Sequence, residues 1–289
     1  MGNYLSLLSP NNQGNQEKQA TQQNKTKEEI QNEFNQNGYI LLKNFFSEEE
    51  AEQITEIANE LENWNEEPFK WMIYFENKLN NDNSKFKSRI ENFLNYHPLL
   101  QKIFKEKINS LVNEVTLKDL VLFKEKMNWK NPKGKGFKPH QDQPAWTDFK
   151  PSKYYTLALF ANNTTIENGC LEFGTQKNKE RINTLLDYEK NGTGELTEEV
   201  VSQLDWKYVE TTPRDVLIFD SYIPHRSGDN TTDNSRRIFY FTFNDREEGE
   251  YYDAYLVKKR EEFPPDIERV YMKEVSLLGN KYNLANPIE

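Results

Sequence analysis

The amino-acid sequence predicts a mostly β protein with flanking helices, built as a jelly-roll barrel beneath an outer helical layer. Three observations carry this. From Thr116 onward, short apolar runs alternate with connections rich in Gly, Pro, Asn and Asp. Amphipathic helical patterns precede those runs. Aromatic residues make up 13% of the 289 residues, many beside β-branched ones, as a pleated and half-buried surface favours.

Residues 1–26 are expected to be a disordered N-terminal segment and 27–289 one folded domain. Positions 9–25 are polar, Asn/Gln-rich and aperiodic, so they bury too little apolar surface to order themselves. Met1-Gly2-Asn3-Tyr4-Leu5-Ser6 matches the N-myristoylation pattern, with Gly2 as acceptor. The plain alternative is a loose terminus that happens to begin with Gly. A single myristoyl chain gives only weak, reversible membrane association. No second signal accompanies it: no Cys is near, and Lys18, Lys25 and Lys27 are offset by Glu17, Glu28 and Glu29.

Thr26 is a plausible N-cap for a helix through Gln36, which Gly38 ends, and Tyr39–Leu42 reads as a short strand. Ser47-Glu-Glu-Glu50 is a capping box that opens a helix to about Asn63, with Ile54, Ile57, Ala58 and Leu61 as its apolar stripe. A further helix is expected over Pro98–Asn113, with Leu99, Ile103, Ile108 and Val112 facing inward. The strand candidates are Leu117–Trp129, Tyr154–Ala161, Cys170–Phe173, Lys207–Thr211, Asp215–Asp220 and Arg237–Asn244. Thr197 caps a candidate helix through Leu204. Helix and loop return around Ala254–Glu262, ended by Pro264-Pro265.

Composition narrows the function. A formal net charge of −10 argues against a nucleic-acid partner, which needs a basic face to replace counterions. The single cysteine, Cys170, rules out a disulfide framework and fits a reducing compartment. It reads as a small buried hydrophobe in a strand. No stretch reaches the roughly 18 apolar residues of a membrane span, and the start lacks the apolar run of a secretory signal. A cytoplasmic protein with a small-molecule substrate is expected, membrane-associated only if Gly2 is acylated. Its oligomeric state is not written in the sequence.

Two of the three histidines stand where a mononuclear iron site needs them. His140 and Asp142 are i and i+2 after the turn Asn131–Gly136. On an extended strand both point to one face and reach one metal. His225 follows Asp215-Val-Leu-Ile-Phe219, a buried-strand pattern, and Pro224, which together deliver it to a barrel rim. Two imidazoles and one carboxylate that leave coordination positions open make the facial triad of non-haem Fe(II) oxygenases. A surface His beside an Asp is the ordinary alternative for the first pair. Arg236 begins the next strand candidate, where alternation groups it with Ile238, Tyr240 and Thr242, while Arg237, Phe239, Phe241 and Phe243 share the other face. A guanidinium pointing into a barrel calls for a planar anion, and a carboxylate fits its fork.

These residues, with Asn168-Gly-Cys-Leu171, Asp215–Asp220 and His225-Arg-Ser227, resemble the phytanoyl-CoA dioxygenase-like family of Fe(II)- and 2-oxoglutarate-dependent oxygenases, from about residue 30 to the end. The resemblance implies a double-stranded β-helix, the cupin-like form of the jelly roll. It implies that His140, Asp142 and His225 bind iron. It also implies that Arg236 holds the distal carboxylate of 2-oxoglutarate with Ser227 assisting, and that O2 is a cosubstrate. One departure stands out: Glu172-Phe-Gly-Thr-Gln-Lys177 replaces the Pro-Gly-Ser-His turn frequent in the family.

Alternation along Leu122–Asn128 puts Lys124, Lys126 and Asn128 on one face. If that face lines the barrel, one lysine, taken as Lys124, contacts 2-oxoglutarate, while Lys126 and Asn128 suit an anionic substrate. A solvated edge-strand face is the alternative, since lysine rarely goes inside unpaired. Trp146 walls the pocket or packs in the core. This Lys-x-Lys-x-Asn run, the His140–Trp146 loop, the tail Phe263–Arg269 and the ending Asn283–Ile288 resemble the branch of the family that contains 2-aminoethylphosphonate dioxygenases. An acyl-CoA or other small-metabolite hydroxylase, a Zn or Mn barrel with hydrolase or isomerase chemistry, and a lipid-anchored binding protein without catalysis share parts of this pattern.

Overall fold

The computed structural model describes residues 25–77, 85–189 and 194–271; Gly2 and the ending Asn283–Ile288 lie outside them. Helix α1 (Lys27–Asn37) opens with the Thr26/Glu29 capping box and closes on Gly38 at φ 78°, a left-handed conformation that glycine adopts without strain. Strand β1 (Tyr39–Leu42) follows. Helix α2 (Glu48–Asn63) starts from the Ser47/Glu50 box and buries Ile54, Ile57, Ala58 and Leu61, so the predicted stripe is the packed face.

Between residues 64 and 97, where the apolar pattern gives no element, stand β2 (Met72–Asn77) and β3 (Lys85–Glu91). The next helix is interrupted. α3 (Pro98–Ile103) passes through a π turn at Phe104–Ile108 into α4 (Asn109–Thr116). The wider turn rotates the stripe, so Leu100 is buried while Leu99, expected inside, is 41% exposed. His97 caps α3 by accepting the Leu100 N–H, and its Nε2 meets Glu60.

β4 (Leu120–Lys130) begins later than the predicted Leu117–Trp129. α4 runs on to Thr116, and Leu117 is its left-handed C-cap at φ 58°. Then come β5 (Phe137–His140), a 3-10 turn (Gln143–Trp146), β6 (Tyr154–Phe160) and β7 (Leu171–Gln176). α5 (Glu198–Gln203), capped by Thr197, leads straight into β8 (Leu204–Val209), ahead of the expected Lys207–Thr211. β9 (Val216–Asp220), β10 (His225–Ser227), β11 (Arg236–Asp245), α6 (Tyr252–Glu262) and α7 (Asp266–Arg269) complete the elements of the described residues.

The strands form a seven-stranded sheet, β1-β9-β6-β11-β4-β3-β2, and a four-stranded sheet, β5-β10-β7-β8. Every pairing is antiparallel. This is the double-stranded β-helix. Alternation divides the core. On β11, Phe239, Phe241 and Phe243 pack outward with Ile54, Ile57 and Leu61 of α2 and Ile108 and Val112. Ile238 and Tyr240 turn inward to Leu171, Phe173 and Phe219. Each fully buried Phe contributes roughly 1.5–3 kcal/mol over an exposed one. The larger sheet is thus fixed on its helical side, and its inner face is free to carry polar groups. On β4 the ladder shifts between Thr242 and Phe243. That bulge sends Phe123 toward Trp146, Tyr154 and Tyr255 and leaves Lys124, Lys126 and Asn128 on the inner face. Among the described residues, no helix is long and apolar enough to cross a membrane.

Candidate metal centre and its cavity

The two sheets enclose a cavity of about 400 Å³, within the usual range for small-molecule sites, roughly 300–1,000 Å³. His140, Asp142, His225, Arg236, Ser227, Lys124, Lys126, Asn128 and Trp146 all line it. Gly2 lies outside the described residues.

His140 ends β5, His225 begins β10, and the two are direct cross-strand partners. Their ring centroids are 4.3 Å apart. Each ring donates through Nδ1 to a backbone carbonyl: His140 to Lys138 O at 2.7 Å, His225 to Ile223 O at 3.1 Å. A carbonyl only accepts, so the proton sits on Nδ1 and the Nε2 lone pair is left for another partner. Both Nε2 atoms lie 3.9 Å from Asp142 Oδ1, and one ligand atom from each residue falls within 4.8 Å of the others. Burial, reinforced by the adjacent His225, holds His140 down at about 4. Burial alone would raise Asp142, but His225, His140 and Lys126 outweigh it and lower its carboxyl. A neutral imidazole beside an ionised carboxylate is the state a divalent metal requires. The donor set and its open side therefore fit Fe(II).

Asp142 reaches this position differently from the sequence expectation. β5 stops at His140, and Asp142 has helical backbone angles, φ −74° and ψ −29°, leading into the 3-10 turn. The turn, not a pleat, brings the pair together. Gln141 between them is pinned: its Nε2 donates to Thr184 O and Tyr222 O, and its Oε1 accepts the Leu186 N–H.

Arg236 is 1% exposed. Its Nη1 donates to Gly169 O at 2.6 Å, while its Nε is buried with no hydrogen-bond partner among the described residues. Directly across the ladder stands Lys130, also buried. Burial, then the Arg236 charge, push the Lys130 ammonium down to about 6. Its Nζ donates to Ser227 Oγ at 2.7 Å and to Gly228 O.

A second cationic wall comes from β3 and β4. Lys124 Nζ lies 4.8 Å from the Trp146 ring centroid and Lys126 Nζ 5.0 Å from that of Tyr240. The predicted face is the inner one, and aromatic faces support its ammonium groups. Burial lowers both lysines, Lys126 strongly because Arg89 and Lys124 add to it. Arg89 pairs with Asn128 across β3–β4 and donates to its Oδ1 at 3.2 Å. Behind it, burial alone would raise Glu91, but Lys259, Arg89 and Lys124 hold its carboxyl at about 2. Trp146 meets both expectations, lining the cavity and packing edge-on to Phe123 and Tyr154.

Sequence reasoning missed Arg89 and Lys130. Arg89 stands on β3, whose alternation of Phe86, Ser88 and Ile90 with charged residues is legible only once a strand is assumed. Lys130 is one more step along the Lys124, Lys126, Asn128 alternation and could have been read from it. The departure at Glu172–Lys177 is largely strand: Glu172 in β7 accepts from Arg226 at 2.8 Å.

Comparison with known proteins agrees with this geometry. Residues 34–238 match the family model described as phytanoyl-CoA dioxygenase (PhyH). A 2-aminoethylphosphonate dioxygenase from the uncultured bacterium HF130_AEPn_1 is 38% identical over 263 residues, 91% of this chain and 98% of the relative. A methylphosphonate hydroxylase from Gimesia maris is 34% identical, over 80% of this chain and 85% of the relative. Among solved structures, EctD from S. alaskensis with 2-oxoglutarate and 5-hydroxyectoine superposes with a TM-score of 0.61 at 16% identity, covering 75% of this chain and 76% of that one. The epimerase SnoN with Fe3+, α-ketoglutarate and nogalamycin RO gives 0.61 at 16%, covering 76% and 83%.

Proposed function

This chain belongs to the phytanoyl-CoA dioxygenase family, and from that premise we propose that it is an Fe(II)- and 2-oxoglutarate-dependent hydroxylase of a small phosphonate, 2-aminoethylphosphonate before others. One observation carries the reading: a single cavity joins the His140–Asp142–His225 cluster to two separate cationic stations, Arg236 and the Arg89–Lys124–Lys126 wall. A dicarboxylate cosubstrate and an anionic substrate need two such stations. A Zn or Mn hydrolase would have no use for Arg236, and a non-catalytic binding protein would have no use for the ligand cluster. The relatives named for 2-aminoethylphosphonate and methylphosphonate support a phosphonate as the substrate class.

In this reading His140, Asp142 and His225 hold Fe(II). The metal supplies O2 activation, coupling decarboxylation of 2-oxoglutarate to succinate and CO2 with oxidation of a substrate C–H bond. The protein's task is orientation and exclusion of water. Arg236 meets the distal carboxylate of the cosubstrate through its fork, with the Ser227 hydroxyl beside it. Lys124, Lys126 and Arg89 meet the phosphonate, whose charge offsets the burial that lowers the two lysines. Asn128 holds Arg89 in place. Trp146 closes one side and keeps Lys124 in contact with an aromatic face.

The test is substrate-dependent succinate release under air with Fe(II), over 2-aminoethylphosphonate, methylphosphonate, small amino acids and an acyl-CoA, after subtraction of uncoupled turnover. A phosphonate should give the highest kcat/KM. Preference for the acyl-CoA would overturn the substrate class, and absence of succinate with every compound would overturn the reaction.

A further inference from the structure

Arg236 and Lys130 are cross-strand partners on β11 and β4, and both are buried. Like charges directly opposite each other on a sheet destabilise it. Among the described residues neither has a carboxylate within ion-pair distance. Their partners are neutral: Gly169 O and the Tyr240 hydroxyl for Arg236, Ser227 Oγ and Gly228 O for Lys130. A buried guanidinium with an unpartnered Nε beside a second buried basic side chain marks a place for an anion.

The hydrogen bonds at Ser227 give the pair a direction. Its Oγ accepts from Lys130 Nζ at 2.7 Å and from the Phe137 N–H at 3.3 Å. A hydroxyl has two lone pairs and one proton. When Lys130 carries its proton, as a carboxylate held by Arg236 favours, both lone pairs are taken and Ser227 can only donate. Ser227 and Arg236 line the cavity, and Lys130 is not among its lining residues. The backbone leaves Lys130 little freedom. Gly169 has φ +75°, and a Cβ there would collide with Gly228 O and lie 2.8 Å from Lys130 Nζ. The ammonium thus occupies a slot closed by two turns, with its hydrogens directed at Ser227 and Gly228.

We propose that Lys130 is a positioning residue for the cosubstrate: it fixes the Ser227 hydroxyl as a hydrogen-bond donor to the carboxylate that Arg236 binds. This rests on the 2-oxoglutarate reading above. Lys130 touches neither substrate nor metal, and its effect passes through Ser227 into cosubstrate affinity.

The measurement is calorimetric binding of 2-oxoglutarate to the Fe(II)-loaded protein without O2, beside steady-state KM values for both substrates. Lys130→Met should weaken 2-oxoglutarate binding roughly tenfold, the effect of one lost bond to a charged group. Iron content and the KM for the phosphonate should hold, which a general loosening of the fold would not allow. Ser227→Ala should do the same, and the double variant should be no weaker than Ser227→Ala alone, since coupled residues are not additive. Lys130→Gln, one bond shorter but still a donor, should fall between parent and Met, and it decides the matter if the Met variant does not fold. Parent-like binding in either folded Lys130 variant, or additive losses in the double variant, overturns the proposal. If the parent itself binds no 2-oxoglutarate, the functional reading has failed instead.

Discussion

His140 and His225 face each other as direct partners in the β5–β10 ladder, with ring centroids 4.3 Å apart. The ladder sets their spacing, and the carbonyls of Lys138 and Ile223 set the orientation of each ring. In the reading above, metal affinity therefore depends on strand register as well as on ligand identity.

Replacing either imidazole should remove the centre. His140→Ala and His225→Ala are expected to lose stoichiometric Fe(II), measured by metal analysis after desalting, and to lower succinate release by at least about a thousandfold. Melting temperature should change little, because both side chains already sit at a cavity wall. A variant that retains iron and turnover would sink the assignment.

Arg236→Met should raise the KM for 2-oxoglutarate by roughly thirtyfold, about 2 kcal/mol, the scale of a lost charge-assisted bond. The kcat at saturation should stay within a few fold. The check is steady-state kinetics at two phosphonate concentrations. An unchanged cosubstrate requirement would remove Arg236 from the anchor.

Arg89→Met should show the opposite split. Phosphonate KM is expected to rise roughly tenfold or more, while 2-oxoglutarate affinity and uncoupled succinate formation persist. Asn128 would lose its Arg89 donor, so a melting curve must accompany the kinetics. Equal loss for both substrates would mean that β3 supports the cavity without contacting the phosphonate.

Glu125 offers a pH test away from the reaction. Burial raises its carboxyl to about 7, although it accepts the Leu94 N–H and the Tyr252 hydroxyl. Its folded-state pKa lies above the ordinary value of 4.5. The folded protein therefore binds more protons than the unfolded chain between those values. Stability should fall as pH rises through that window and level off above 7. Glu125→Gln mimics the protonated acid, so it should flatten this part of the profile and add on the order of 1–3 kcal/mol above pH 7. Urea unfolding at pH 5 and pH 8 measures it, and an identical slope in both proteins would refute the account.

The sequence made local signals plain and long-range ones obscure. The Thr26 N-cap, the Ser47 capping box, Gly38 and the inward face of β11 were all legible, since each depends on a few neighbouring residues. The π turn was not, because one extra residue per turn leaves composition unchanged and shows only as the five-residue step from Ile103 to Ile108. β3 was hidden because its inner positions are charged, the reverse of the pattern that marks a strand. For the same reason Arg89 escaped notice. Asp142 was placed correctly beside His140 by a wrong device, a pleat where the chain makes a turn. Lys130 needed the ladder, since only register puts it opposite Arg236.

The cavity draws its two halves from different parts of the chain. The histidines, Ser227 and Arg236 come from β5, β10 and β11, locked by ladders and by the Gly169–Gly228 crossing. Arg89, Lys124 and Lys126 come from β3 and β4, and the exposed residues Tyr188 and Glu189 at the rim come from the connection before α5. Mutation can therefore redraw the rim and the cationic wall while oxygen chemistry stays intact. Descendants of such a scaffold can drift from one small anion to another by a few substitutions, each intermediate remaining a working enzyme.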